Sequence, residues 1–202
     1  MIKILFVCHG NICRSPMAEF VMKEMVRRAG LENEFYIESA ATSTEEIWNG
    51  VGNPVYPPAQ KMLARHGISC GDKRARQMKA GDYGRFDLII GMDDRNIRNM
   101  QRICGNDIDG KIWKLMTFAG AGEIAESGGN LQGDSAAAVH EIPGRPALSQ
   151  LKKLEDRLEK IPAPDVADPW YTGDFQQTWE DVNAGCAGLL RLLAGIEVTR
   201  LD

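Results

Sequence analysis

The feature that most constrains this chain lies near its N-terminus, where an apolar run breaks off into a short polar loop and then a helix. Residues 2–7 are β-branched or bulky apart from Lys3, the pattern of a strand covered on both faces in a parallel sheet. After the loop come Ser15-Pro16, an N-cap residue and a proline suited to the first helical turn. Met17, Ala18, Val21, Met22, Met25 and Val26 then follow at helical spacing up to Gly30. A strand feeding a helix through a tight loop is the opening unit of an α/β domain, and ligands of such sheets sit beyond the carboxyl ends of the strands.

The same alternation continues. Residues 35–40 and 86–92 read as strands, 59–66 and 93–103 as helices, 111–118 as extended, and 175–193 as a helix packed on the sheet. We expect a three-layer α/β fold, a small doubly wound parallel sheet of about four strands with helices on both faces. One stretch interrupts it. Residues 119–139 are rich in Gly, Ala and Ser and poor in core formers. Residues 147–160 then read as an amphipathic helix, with Leu148, Leu151, Leu154, Leu158 and Ile161 on one stripe. That stripe either covers the domain's own surface or serves a partner or gates substrate. We therefore expect a single domain over 1–202 with an insertion at about 119–164.

The loop itself reads Cys8-His9-Gly10-Asn11-Ile12-Cys13-Arg14-Ser15, with five residues between the first cysteine and the arginine. A loop of this length turning into a helix aims successive backbone N–H groups at one point, where the helix N-terminus adds partial positive charge. That is a cradle for a phosphoryl group, formed by His9, Gly10, Asn11, Ile12, Cys13, Arg14 and Ser15. Gly10 and Asn11 tolerate positive φ where the loop must bend. Cys8, on the cradle floor, is the expected nucleophile, because the dipole and a nearby guanidinium favour a thiolate there. Arg14 offers a permanently charged planar fork for two phosphate oxygens. Ser15 is expected to hydrogen-bond the thiolate and to cap the helix.

Composition removes other classes. Five cysteines without a regular framework and three histidines without a Cys-x-x-Cys pair give no disulfide scaffold and no zinc cluster. We expect neither metal nor cofactor. A net charge of −4 argues against nucleic acid as partner. No apolar run is long enough for a bilayer and none resembles a secretory signal, so the expected location is cytoplasmic, away from membranes. A monomer or weak dimer is expected.

Residues 7–19, Val-Cys-His-Gly-Asn-Ile-Cys-Arg-Ser-Pro-Met-Ala-Glu, resemble the signature of the low-molecular-weight protein tyrosine phosphatase family. Ser39-Ala40-Ala41-Thr42-Ser43, Arg65-His66-Gly67-Ile68, Ala75-Arg76-Gln77, Phe86-Asp87, Met92-Asp93 and Asp168-Pro169-Trp170-Tyr171 follow in that family's order, and only about residues 119–164 lack a counterpart.

The resemblance implies a metal-independent protein tyrosine phosphatase acting on phosphotyrosine-containing proteins through a phosphocysteine on Cys8. Asp168, which by itself would read as a turn residue before proline, becomes general acid and then base. Trp170 and Tyr171 would wall the substrate cleft and favour aryl phosphates. Trp48 is a candidate for the opposite wall or else an ordinary core residue. Asn11 would shape the loop by hydrogen bonds. Cys13 would either trap an oxidised Cys8 as a disulfide or simply pack.

Two departures leave open how the cradle is braced. Tyr56-Pro57-Pro58 stands where much of the family has Asp-Pro-Arg, and Gly71-Asp72-Lys73-Arg74 where a histidine is often found. Because the insertion ends just before Asp168, it would be able to set that residue's position.

The competing readings are an arsenate reductase and a non-catalytic phosphoprotein-binding module. The first needs a close cysteine pair that Cys70 and Cys104 do not make in sequence. The second is expected to have lost Cys8 or Asp168. A branch acting on phosphoarginine would carry threonine at Ile12.

Overall fold

The computed structural model describes residues 1–120 and 146–202. The strands are β1 (Ile2–Cys8), β2 (Phe35–Ala41), β3 (Ile47–Trp48), β4 (Val51–Gly52), β5 (Leu88–Gly91) and β6 (Ile112–Lys114). The helices are α1 (Arg14–Arg28), α2 (Pro57–Arg65), α3 (Asp82–Arg85), α4 (Asp94–Cys104), α5 (Leu115–Ala119), α6 (Leu148–Leu158), α7 (Pro169–Thr172) and α8 (Phe175–Ala194). Most of the 119–139 stretch lies outside the described residues.

The side chains of β1 alternate between two cores, which explains why its sequence shows no polar face. Ile4, Phe6 and Cys8 join α1, α2, α5, α6 and α8 on one side of the sheet. Leu5 and Val7 join Phe86, Ile89 and Met100, with α3 and α4 on that side. Both neighbours of β1 are parallel, β2 in register from Ile2↔Phe35 to Cys8↔Ala41 and β5 from Ile4↔Leu88. The sheet order β2-β1-β5-β6 is that of the doubly wound three-layer fold expected from the sequence. The crevice where the order reverses opens at the carboxyl end of β1, directly at Cys8. No helix of the described residues is long and apolar enough to cross a membrane.

Of three details, the first departs from expectation, the second was not anticipated and the third decides between stated alternatives. Residues 111–118 are extended only over β6; from Leu115 the chain turns into α5. The cause is tertiary, since α5 lies against α8 where glycines leave room: a Cβ on Gly188 would stand 1.9 Å from the carbonyl oxygen of Phe118, and one on Gly185 2.5 Å from Leu115 Cγ. Gly188→Ala, normally favourable in a helix interior, should here destabilise the fold by about 1–3 kcal/mol. Urea unfolding would measure it, and an unchanged or raised midpoint would count against this packing.

The second detail is the β3–β4 hairpin, whose turn places Asn49 at φ 49° and Gly50 at φ 79°. Asn-Gly is a strong signal for such a turn. The third is α6. Leu151 and Leu158 are buried in the main core, and Leu148, Leu154 and Ile161 pack partly buried against it. The leucine stripe covers the domain's own surface rather than a substrate or partner.

Candidate active site

The loop between β1 and α1 is pinned by its backbone before any side chain acts. Thr42 N–H donates to the Cys8 carbonyl at 2.9 Å and Tyr56 N–H to that of Ile12 at 2.9 Å. Asn11 takes φ 58°, in the left-handed region, and makes the bend. The loop then curls around the Cys8 sulfur: Asn11 N–H donates to Sγ at 3.3 Å, and Ser15 Oγ lies 3.0 Å from it.

The amide of Asn11, wholly buried, sets the direction of these bonds. Its Nδ2 donates to Ser15 Oγ at 2.9 Å and to Ser39 Oγ at 2.8 Å, while its Oδ1 accepts from Arg76 N–H at 3.1 Å. Ser15 therefore accepts from Asn11 and has its own proton for Cys8 Sγ; its other acceptor, the Ala40 carbonyl, is farther at 3.4 Å. This corrects one expectation. The helix begins at Arg14 with Cys13 as its cap and no side-chain capping bond, because the Ser15 hydroxyl is committed to the sulfur. Asn11 and Ser15 accordingly lie behind the loop, whereas Cys8, His9, Gly10, Ile12, Cys13 and Arg14 line its open side.

Lys73 and Tyr56 account for the two departures. Ser39 Oγ donates to Glu19 Oε2 at 2.6 Å, and the buried Glu19 is neutralised by Lys73 at 2.7 Å and Lys23 at 2.5 Å. Lys73 also donates to the Ser39 carbonyl at 3.2 Å. A lysine thus braces the cradle from behind through Glu19, Ser39 and Asn11. The Tyr56 ring lies 5.9 Å from that of Trp170 and 6.1 Å from that of Phe175, so an aromatic cluster occupies the other departure.

Arg14, almost fully buried, divides its fork between two carboxylates, Nη1 to Asp93 Oδ2 at 2.7 Å and Nη2 to Asp168 Oδ2 at 2.6 Å. Burial works against its charge, but Cys8, Asp168 and Asp93 outweigh burial and hold the guanidinium above its ordinary pKa. Asp93 uses its other oxygen to cap α4, accepting from Asn96 N–H at 2.6 Å. Asp168 does likewise at α7, accepting from Trp170 N–H at 3.1 Å.

The segment before Asp168 is fixed to the body. Val166 N–H donates to the Met92 carbonyl and Ala167 N–H to Asp181 Oδ2, both at 2.8 Å. These two anchors hold the backbone just before Asp168.

The cleft over the loop has a volume of about 210 Å³, and Asp168, Trp170 and Tyr171 line it on one side. On the other side stand Glu45 and Glu46, which sequence reasoning missed. His9 Nε2 lies 2.9 Å from Glu45 Oε2, and Asn53 donates to Glu46 at 2.7 Å. Trp48 is neither in this wall nor in the core: it stands 70% exposed on the hairpin. Cys13 faces the cleft, and burial, reinforced by Cys8 and Asp168, pushes its thiol well above the usual range, so it stays protonated. Cys70 and Cys104 pack on opposite faces of the sheet, which leaves them no way to act as a relay pair.

A buried strand ending in a cysteine, a loop folded around its sulfur and an arginine shared with two aspartates make up the site of this small α/β protein. Residues 3–128 match the family model described as low molecular weight phosphotyrosine protein phosphatase. The chain is 33% identical over 190 residues to the low molecular weight protein-tyrosine-phosphatase YfkJ of Bacillus subtilis, covering 94% of each chain. The YfkJ crystal structure superimposes with a TM-score of 0.68 at 32% identity, covering 94% of this chain and 92% of that one. The structure of SP-PTP, a low molecular weight protein tyrosine phosphatase of Streptococcus pyogenes, gives 0.65 at 32% identity over 96% and 93%. This chain belongs to the low molecular weight protein tyrosine phosphatase family.

Proposed function

We propose that the chain is a metal-independent protein tyrosine phosphatase that hydrolyses phosphotyrosine in cytosolic proteins through a phosphocysteine on Cys8. The observation that carries this reading is the sulfur of Cys8 held by Asn11 N–H and the Ser15 hydroxyl under a guanidinium already shared with Asp168. Five unpaired cysteines accord with a reducing compartment.

In the first step the Cys8 thiolate attacks phosphorus in line with the ester oxygen. The S–P bond forms, the P–O bond breaks, and the departing oxygen takes the proton of Asp168. In the second, water attacks the phosphocysteine and gives its proton to the Asp168 carboxylate; the S–P bond breaks, returning the thiolate and inorganic phosphate. Arg14 and the N–H groups of residues 9–15 stabilise the equatorial oxygens, where charge gathers in the transition state. Phosphate taking the Arg14 fork displaces Oδ2 of Asp168, which is then free to reach the ester oxygen.

Hydrolysis of p-nitrophenyl phosphate and of a phosphotyrosyl peptide by the intact chain in EDTA tests the proposal. Turnover is expected, and Asp168→Ala should slow it by about 10²- to 10⁴-fold, more severely for the peptide, whose leaving oxygen needs the proton more. A folded parent without turnover would overturn the reading.

A further inference from the structure

The walls of the cleft carry opposite charge, and among the described residues that line it Arg95 is the cation without a carboxylate partner. Past Asp168 and Tyr171 the cleft opens into a second hollow of about 460 Å³ that shares Arg14, Asp93 and Arg95 with it. The carboxylates there are already engaged. Asp93 and Asp168 hold Arg14, while Asp94 and Asp165 both hold Lys114, at 2.9 and 2.7 Å. The Lys114 hydrogen bond and charge hold the Asp94 carboxyl below its ordinary pKa, and Arg98, one turn along α4, adds to this.

Arg95 is exposed, lines both hollows, and has no ion-pair partner among the described residues. Across the cleft, among the described residues, the Glu46 carboxylate accepts from the neutral Asn53 and that of Glu45 pairs with His9.

We infer that Arg95 is a specificity residue, selecting phosphotyrosyl segments that carry an acidic side chain on the flank facing α4, with Glu45 and Glu46 disfavouring acidic residues on the other flank. The inference rests on the phosphatase reading above. A peptide chain whose phosphotyrosine enters the cradle leaves the cleft between Tyr171 and Arg95 on one side and past Glu45 and Glu46 on the other. The planar fork of Arg95 suits a carboxylate, and like charges opposed across a site reject the wrong sequence.

The test compares kcat/KM for alanine-based phosphotyrosyl peptides bearing a single Glu or a single Lys at each position on either flank. On one flank the parent should favour Glu over Lys by about threefold to tenfold, on the scale of exposed ion pairs gained and lost. The preference should shrink in 0.5 M NaCl, invert in Arg95→Glu and fall to near unity in Arg95→Gln. Taking the ratio within one preparation cancels differences in folded fraction, and the glutamine variant covers any folding failure of the glutamate one. Equal rates for Glu and Lys at every position, or an unaltered preference in both variants, would overturn the inference while leaving the phosphatase reading standing. Absence of turnover on p-nitrophenyl phosphate by the parent would instead remove that reading and this one with it.

Discussion

Cys8→Ser should lose turnover of p-nitrophenyl phosphate by about 10⁴-fold or more while keeping the fold. The substitution changes one atom at a buried position whose hydrogen bonds, from Asn11 N–H at 3.3 Å and Ser15 Oγ at 3.0 Å, an oxygen also accepts. What disappears is the sulfur nucleophile. A serine hydroxyl needs a base to remove its proton, and His9 is turned toward Glu45 at 2.9 Å. The loop N–H groups and Arg14 remain, so the serine protein should still bind inorganic phosphate or vanadate, measurable by calorimetry. Residual activity above about one percent of the parent's would assign the nucleophile elsewhere.

Arg14→Lys is the second large effect, because it removes geometry while keeping charge. The guanidinium reaches Asp93 with one nitrogen and Asp168 with the other, at 2.7 and 2.6 Å, and a single ammonium cannot hold two diverging partners on fixed lines. It also cannot present two parallel donors to a phosphoryl group. We expect kcat/KM to fall by about 10²- to 10³-fold, the scale for losing one preorganised donor to the transition state. The thermal midpoint should change far less than in Arg14→Ala, where Asp93 and Asp168 would face each other without a cation. A lysine variant within tenfold of the parent would show that charge, not the fork, does the work.

What the sequence disclosed followed local rules. Residues 2–7 declared a strand covered on both faces because both faces are apolar, and the loop after it declared its bend because asparagine tolerates the positive φ that Asn11 takes. The errors came where one group serves two masters or where contact is distant. Ser15 has the identity of a helix cap, but its hydroxyl is spent on a sulfur seven residues earlier. Asp93 is legible as the cap of α4, which accounts for one oxygen; that the other holds Arg14, 79 positions away, no local pattern could reveal. Residues 115–118 look extended in isolation and become helical because Gly185 and Gly188 open a groove far along the chain. The acidic wall was missed although Asn49-Gly50 announced the hairpin that follows it.

The bonds of Asn11 also limit how this protein can drift in sequence. Glycine at that position would accept φ 58° but would lose the amide that joins Ser15, Ser39 and Arg76. Aspartate would keep the shape and the acceptor but lose both donors, and would set a negative charge beside the Cys8 sulfur. Glutamine would keep the amide at the wrong reach and resist the left-handed backbone. Each single-residue step away from asparagine breaks at least one of its three duties, so descendants of this chain that keep a working cradle are confined to the residue they began with.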